Sequence, residues 1–220
     1  MYFLSHFYTE LPNENLLFVA ALSIPDFATG FTRVYNSHLK HASLPQNENL
    51  QQIHRGIVQH YAGDKWFHAS PLFTKQVAAA VQFFLNENLN REKLRLSVIA
   101  HLAVEMMIDR QIILQQKEVG EKYYECINKV DEKLIHEYFA LHSLEVAGQS
   151  FFSKFQFFKQ KQFLFLFNEI ENIVTGLSRI YASATKTEFT EEEKKKFVLA
   201  LHNIDSGLRY SWQEILNTKL

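Results

Sequence analysis

The stretch 60-HYAGDKWFH-68 sets His60, Asp64 and His68 at successive intervals of four residues. On an α-helix this spacing drifts by about 40° per step, so the three side chains share one face, with neighbouring Cβ atoms roughly 6 Å apart. Imidazole and carboxylate in that register can converge on a cation. A second run, His101, Glu105 and Asp109, repeats the spacing. Two facing helices so furnished are one way to build a metal site in a helical core. The competing explanation is chance, because ten histidines and 24 acids make a His-x3-acid pair easy to find. The second run is the more informative, since its surroundings are apolar and an unpaired ionised group buried there costs several kcal/mol. Aspartate usage points the same way. The chain has five aspartates, and Asp26, Asp64 and Asp109 are polar islands in apolar sequence, where a poor helix former needs a task.

These residues need helices to carry them, and the sequence predicts an all-α fold. All four prolines (Pro12, Pro25, Pro45 and Pro71) lie in the first third, and only seven glycines occur in the chain. Helix breakers are therefore scarce, and no alternating apolar run is bounded by hairpin turns. The segment 93–116 is apolar on most sides but interrupted by His101, Glu105 and Asp109, which predicts a buried central helix. Thr190 followed by Glu193 has capping-box spacing ahead of 197-FVLALHNI-204, predicting a helix start there. Gly63 and the Trp66-Phe67 pair leave open whether a helix runs unbroken to His68. The tetrapeptide NENL occurs at 13–16, 47–50 and 86–89 without flanking repetition. Asn followed by Glu suits a helix N-terminus, so three helix starts are expected rather than modules. No low-complexity linker interrupts the chain. A single domain spanning 1–220 is expected, with a motif-bearing half at about 1–115 and a helical half at about 116–220.

Bulk properties exclude several function classes. A net charge of −1 supplies no global field for nucleic acid or an anionic membrane. The single cysteine, Cys126, allows neither an intrachain disulfide nor a Cys-based zinc site. The N-terminal segment lacks a basic leader, and no window approaches 18 uninterrupted apolar residues. A cytoplasmic protein with no membrane insertion is expected.

Four segments in order resemble the acyl carrier protein phosphodiesterase family, related to the HD-type metal-dependent phosphohydrolases. The opening 1-MYFLSHFYTE-10 is similar to the family's start, with His6 at its histidine, and 21-ALSIPDFATG-30 matches its Asp-Phe pair before glycine at Asp26, Phe27 and Gly30. The segment 56-GIVQHYAGDKWFHASP-71 follows in register the family's Gly-Ile, His-Arg-x-Ile-Asp and Phe-Thr-Asp-x-His-Pro pattern, and 104-VEMMIDRQ-111 resembles its paired acids. Beyond about residue 115 the likeness fades.

The resemblance implies a helical bundle with an HD-like core and a divalent metal site built from His6, Asp26, His60, Asp64 and Asp109, with Glu105 as ligand or supporting group. It implies release of 4′-phosphopantetheine from holo-acyl carrier protein by metal-activated water. Mn²⁺ or Mg²⁺ is favoured, and the ligand types also suit Fe or Zn²⁺. The catalytic residues expected are Asp64, with His68 or His101 orienting water or protonating the leaving group. Departures occur where the family has Arg, Asp, His and Asp-His-Phe. Here those positions are Tyr61, His68, Ser70 and 109-DRQ-111, which carries Arg110 and Gln111. The loss of a guanidinium at Tyr61 removes a bidentate phosphate clamp. Two alternatives therefore stand: another metal-dependent phosphohydrolase acting on a small phosphoester or nucleotide, and an inactive helical binding protein. The segment 151-FFSKFQFFKQKQFLFLF-167 interleaves phenylalanine with lysine. It reads either as a docking face for acidic carrier protein or, preferably, as a core stripe of Phe151, Phe155 and Phe158.

Overall fold

Among the described residues, thirteen α-helices and two short 3-10 helices make up the regular structure and no strand occurs, so the fold is all-α. The computed structural model describes residues 1–217 except Glu14, Thr29 and Arg91. In chain order the helices are α1 (Phe3–Thr9), α2 (Leu16–Ala21), α3 (Ile24–Phe27), α4 (Phe31–Ser37), α5 (Glu48–His68), α6 (Pro71–Asn86) and α7 (Leu96–Gln115). They continue as α8 (Lys117–Lys129), α9 (Glu132–Leu141), α10 (Glu145–Lys161), α11 (Ile170–Thr185), α12 (Glu191–Leu208) and α13 (Trp212–Leu216). They form two compact units. The first comprises Met1–Ser5, Trp66–Glu118 and Leu164–Leu220, the second His6–Lys65 and Val119–Phe163.

In the first unit, α7 packs against α6, α11 and α12, and α12 packs in turn on α6 and α11. A helix with neighbours on several sides must be apolar on several sides. Accordingly Ala100, Ala103, Val104, Met106, Met107 and Ile108 are all buried. The expected capping box is present: Thr190 Oγ1 accepts from the Glu193 amide at 3.2 Å, and the Glu193 carboxylate accepts from the Thr190 amide at 2.7 Å. Arg110 and Gln111 are structural. Both donate to Asp205 Oδ1, at 2.9 and 2.7 Å, and Arg110 also donates to the Phe167 and Asn168 carbonyls.

In the second unit, α3 packs on α2, α4 and α10, and α10 on α9. Phe151, Phe155 and Phe158 of α10 are buried, with the Phe158 ring 5.1 Å from that of Phe27. Lys159 pairs with Glu132 and lies over the Phe155 ring. That face is a core stripe.

The three NENL segments divide. Asn15 caps α2 by accepting from Phe18, and the Asn47 side chain accepts from the amides of Asn49 and Leu50 at the start of α5. The third copy is a helix end, contrary to expectation. Asn88 adopts φ 55°, the Leu89 amide reaches back to the Phe84 carbonyl at 3.1 Å, and the Asn88 amide reaches Leu85 at 3.0 Å. Those two bonds define a Schellman motif, in which Asn takes the left-handed position that glycine usually fills. Asparagine serves either end of a helix, and the buried Phe84 and Leu89 decide which.

Candidate metal centre

Helix α5 runs without a break to His68, so His60 and Asp64 share a face as their spacing requires. His60 is buried, and its Nδ1 lies 2.8 Å from the Leu22 carbonyl. A carbonyl only accepts, so Nδ1 carries the proton and Nε2 is left to face Asp64 Oδ2 at 3.4 Å and Asp26 Oδ1 at 3.9 Å. An imidazole oriented through its other nitrogen by a backbone carbonyl is the usual support of a metal-ligating histidine.

His6 arrives from α1 with its ring stacked on His60, centroids 4.0 Å apart. Its Nε2 lies 3.3 Å from Asp64 Oδ1 but makes no hydrogen bond and is buried. An orphaned buried nitrogen aimed at a carboxylate calls for an explanation. Burial and the adjacent His60 lower the His6 pKa to about 3, outweighing Asp64, so the ring is neutral near pH 7. Burial also pulls His60 down, yet Asp26 and Asp64 raise it overall. For Asp64, burial raises the carboxyl, but the facing imidazoles of His6 and His60 prevail and hold it well below the usual carboxylate range.

The separations carry the chemical information. Charge-assisted hydrogen bonds between such groups run at about 2.7–2.9 Å. Ligand atoms about 2.1 Å from a tetrahedral ion lie roughly 3.4 Å from one another. The observed 3.3 and 3.4 Å match the second geometry. His6, His60 and Asp64 each bring one ligand atom within 4.8 Å of the other two. The donor set fits a divalent cation.

In the first unit, His68, His101 and Glu105 form a separate group. His68 Nε2 lies 2.9 Å and His101 Nε2 3.2 Å from the same Glu105 oxygen, Oε1. The Met1 amino nitrogen is 3.0 Å from that oxygen. Burial raises the Glu105 carboxyl, but the Met1 amino group, His101 and His68 together hold it well below the usual range.

Asp109 is not among either group. It is fully buried and accepts from the Leu4 amide on Oδ2 at 2.8 Å, and from the Ser5 amide and hydroxyl on Oδ1 at 2.8 and 2.6 Å. The first-turn amides of α1 would otherwise be unsatisfied, so Asp109 works as a cap supplied from α7. Ser70 has a comparable duty: it is the N-cap of α6, with Pro71 at the first helical position. Tyr61 stacks on Tyr35, centroids 3.9 Å apart, and donates to Thr32 Oγ1 at 3.2 Å.

The Leu22 carbonyl that orients His60 has no counterpart in the sequence reading, because a backbone acceptor carries no residue signature. The fixing of His68 and His101 by the Phe73 ring, 5.5 and 5.0 Å from theirs, is equally tertiary. No family model, curated protein or solved structure matches the chain.

Proposed function

We propose that the protein is a metal-dependent phosphoric diester hydrolase whose cation is held by His6, His60 and Asp64, with Asp26 at the rim. The observation that carries this reading is the convergence of two buried imidazole nitrogens on one ionised carboxylate at separations of 3.3 and 3.4 Å. A divalent ion at such a centre lowers the pKa of bound water and neutralises charge on a phosphoryl oxygen.

The chain's own residues prepare that chemistry. Burial keeps His6 neutral, so it offers a lone pair rather than a proton. The Leu22 carbonyl holds the His60 ring so that Nε2 faces the carboxylates. The side chains of His6 and His60 are 2% and 3% exposed, those of Asp64 and Asp26 26% and 32%. Substrate and water therefore approach from the aspartate side. Asp26, nearest to solvent, is placed to accept a proton from an incoming water.

The ordered likeness to the acyl carrier protein phosphodiesterases supports holo-acyl carrier protein as substrate and Mn²⁺ or Mg²⁺ as the ion. Tyr61 favours the second reading, a smaller phosphoester or nucleotide. Its ring lies edge-on to His60, 5.3 Å away, where an aromatic ledge replaces a phosphate-clamping guanidinium.

The test is hydrolysis of bis-p-nitrophenyl phosphate by chelator-treated protein with and without Mn²⁺, alongside metal analysis. Turnover that requires the metal and disappears in Asp64→Ala supports the hydrolase. Absence of both metal and turnover overturns it. Release of phosphopantetheine from holo-carrier protein, measured beside small phosphoesters, then separates the two substrates.

A further inference from the structure

We infer that His68, His101 and Glu105 form a second divalent-cation site of the zinc class, able to fill independently of the first. Nothing in the proposed hydrolase requires it, and the ligands belong to the first unit. His101 and Glu105 are one helical turn apart on α7, and His68 is the last residue of α5. Two histidines and one carboxylate with coordination left open to solvent are the donor set of catalytic zinc and of several other first-row ions.

Three observations support a built site over a chance contact. Both Nε2 atoms address the same oxygen, Glu105 Oε1, at 2.9 and 3.2 Å, and the Met1 amino nitrogen lies 3.0 Å from it; these are hydrogen-bond distances, which an ion taking the place of the shared protons would widen. Ligand atoms around a tetrahedral ion lie roughly 3.4 Å apart, so side-chain rotations of a few tenths of an ångström suffice to open the group. The rings are also held. The Phe73 ring packs on both imidazoles, whose centroids are 4.6 Å apart, and Phe73 is itself buried. Finally, the site is graded from inside outward. The Glu105 side chain is 7% exposed and those of His68 and His101 are each 37% exposed, so the carboxylate is fixed in the interior and the imidazoles border solvent. A cation can therefore enter without unfolding the bundle.

The experiment is metal titration of the full chain. Chelator-treated protein is loaded with Zn²⁺, desalted, and its zinc content measured, for the wild type, His68→Ala/His101→Ala, Glu105→Gln and His60→Ala. The expected result is two equivalents in the wild type. One equivalent should be lost in the double variant and in Glu105→Gln, and one in His60→Ala. Co²⁺ loading supplies a second readout, since both sites are low-symmetry imidazole–carboxylate sites: the visible absorption should fall in part in each variant, and the part left in His60→Ala should differ in band shape from the part left in the first two. Far-UV circular dichroism identifies any variant that fails to fold, and Glu105→Gln, nearly isosteric, covers the failure of the double variant. Wild-type zinc content retained by both folded variants overturns the second site. A wild type holding a single equivalent that only His60→Ala removes overturns it while leaving the first centre standing.

Discussion

His6 and Asp109 are both fully buried ionisable residues, and their partners give them different work. His6 has an unsatisfied Nε2 and a carboxylate 3.3 Å away. His6→Ala should therefore reduce Mn²⁺ content by about 100-fold in apparent affinity while preserving helicity, measured by metal analysis and circular dichroism. Asp109 has three donors on its two oxygens, yet burial pushes its pKa up to about 7. A carboxyl whose folded pKa is raised keeps its proton in the native state over a range where the unfolded chain has lost it. Its contribution is complete below about pH 4 and disappears as pH rises through about 7. The full shift corresponds to a few kcal/mol, at roughly 1.4 kcal/mol per pH unit. Urea midpoints measured from pH 4 to pH 8 should fall for the wild type and be flatter for Asp109→Asn, which has no such proton. A pH-independent difference between the two proteins would contradict this. From sequence alone Asp109 is indistinguishable from a ligand, because both roles need a buried carboxylate four residues after Glu105. What separates them is whether amides or imidazoles arrive, and the start of α1 arrives from 104 residues away.

Where local chemistry alone determines an element, the sequence is a sufficient guide. The capping box of α12 requires only Thr190 and Glu193, three residues apart, and Thr190→Ala should cost about 1 kcal/mol in denaturant unfolding. The burial of α7 follows from apolar residues around most of its circumference. The third NENL departs from the expected helix start for the complementary reason. Its first residue ends α6, and the Schellman turn depends on Leu89 being buried, which no tetrapeptide encodes. Helix α5 shows the same division. Its length is legible from scarce breakers, but the approach of α2 is not. A Cβ built at Gly56 would lie 2.5 Å from the Phe18 carbonyl oxygen and 2.8 Å from Ala21 Cβ. Since the nearer atom is backbone, Gly56→Ala should destabilise by about 1–3 kcal/mol despite alanine's better helix propensity. A rise in the urea midpoint would show that α2 and α5 separate more easily than their packing indicates.

On the scale of the whole chain, a net charge of −1 provides no long-range attraction, and no single helix among the described residues is long and apolar enough to cross a membrane. Recognition must then be local, and the carboxylates and imidazoles of His6, Asp26, His60 and Asp64 in the second unit are the strongest local feature there. That centre draws its side chains from α1, α3 and α5, which lie far apart in sequence. In the unfolded chain those ligands are dispersed, so a cation that needs them together binds the native state and stabilises it by mass action. At a free ion concentration about 100 times the dissociation constant the gain is about 2.7 kcal/mol. For a chain of this size each kcal/mol moves the midpoint by roughly 2–4 °C. Saturating Mn²⁺ or Zn²⁺ should therefore raise the thermal midpoint of chelator-treated protein by about 5–10 °C, in differential scanning fluorimetry or calorimetry. Asp64→Ala removes the carboxylate that both imidazoles face, so its midpoint should respond much less to the ion that proves to bind there. An equal rise in wild type and Asp64→Ala would place the stabilising ion elsewhere, and comparison with Glu105→Gln would then show whether the group on α7 holds it.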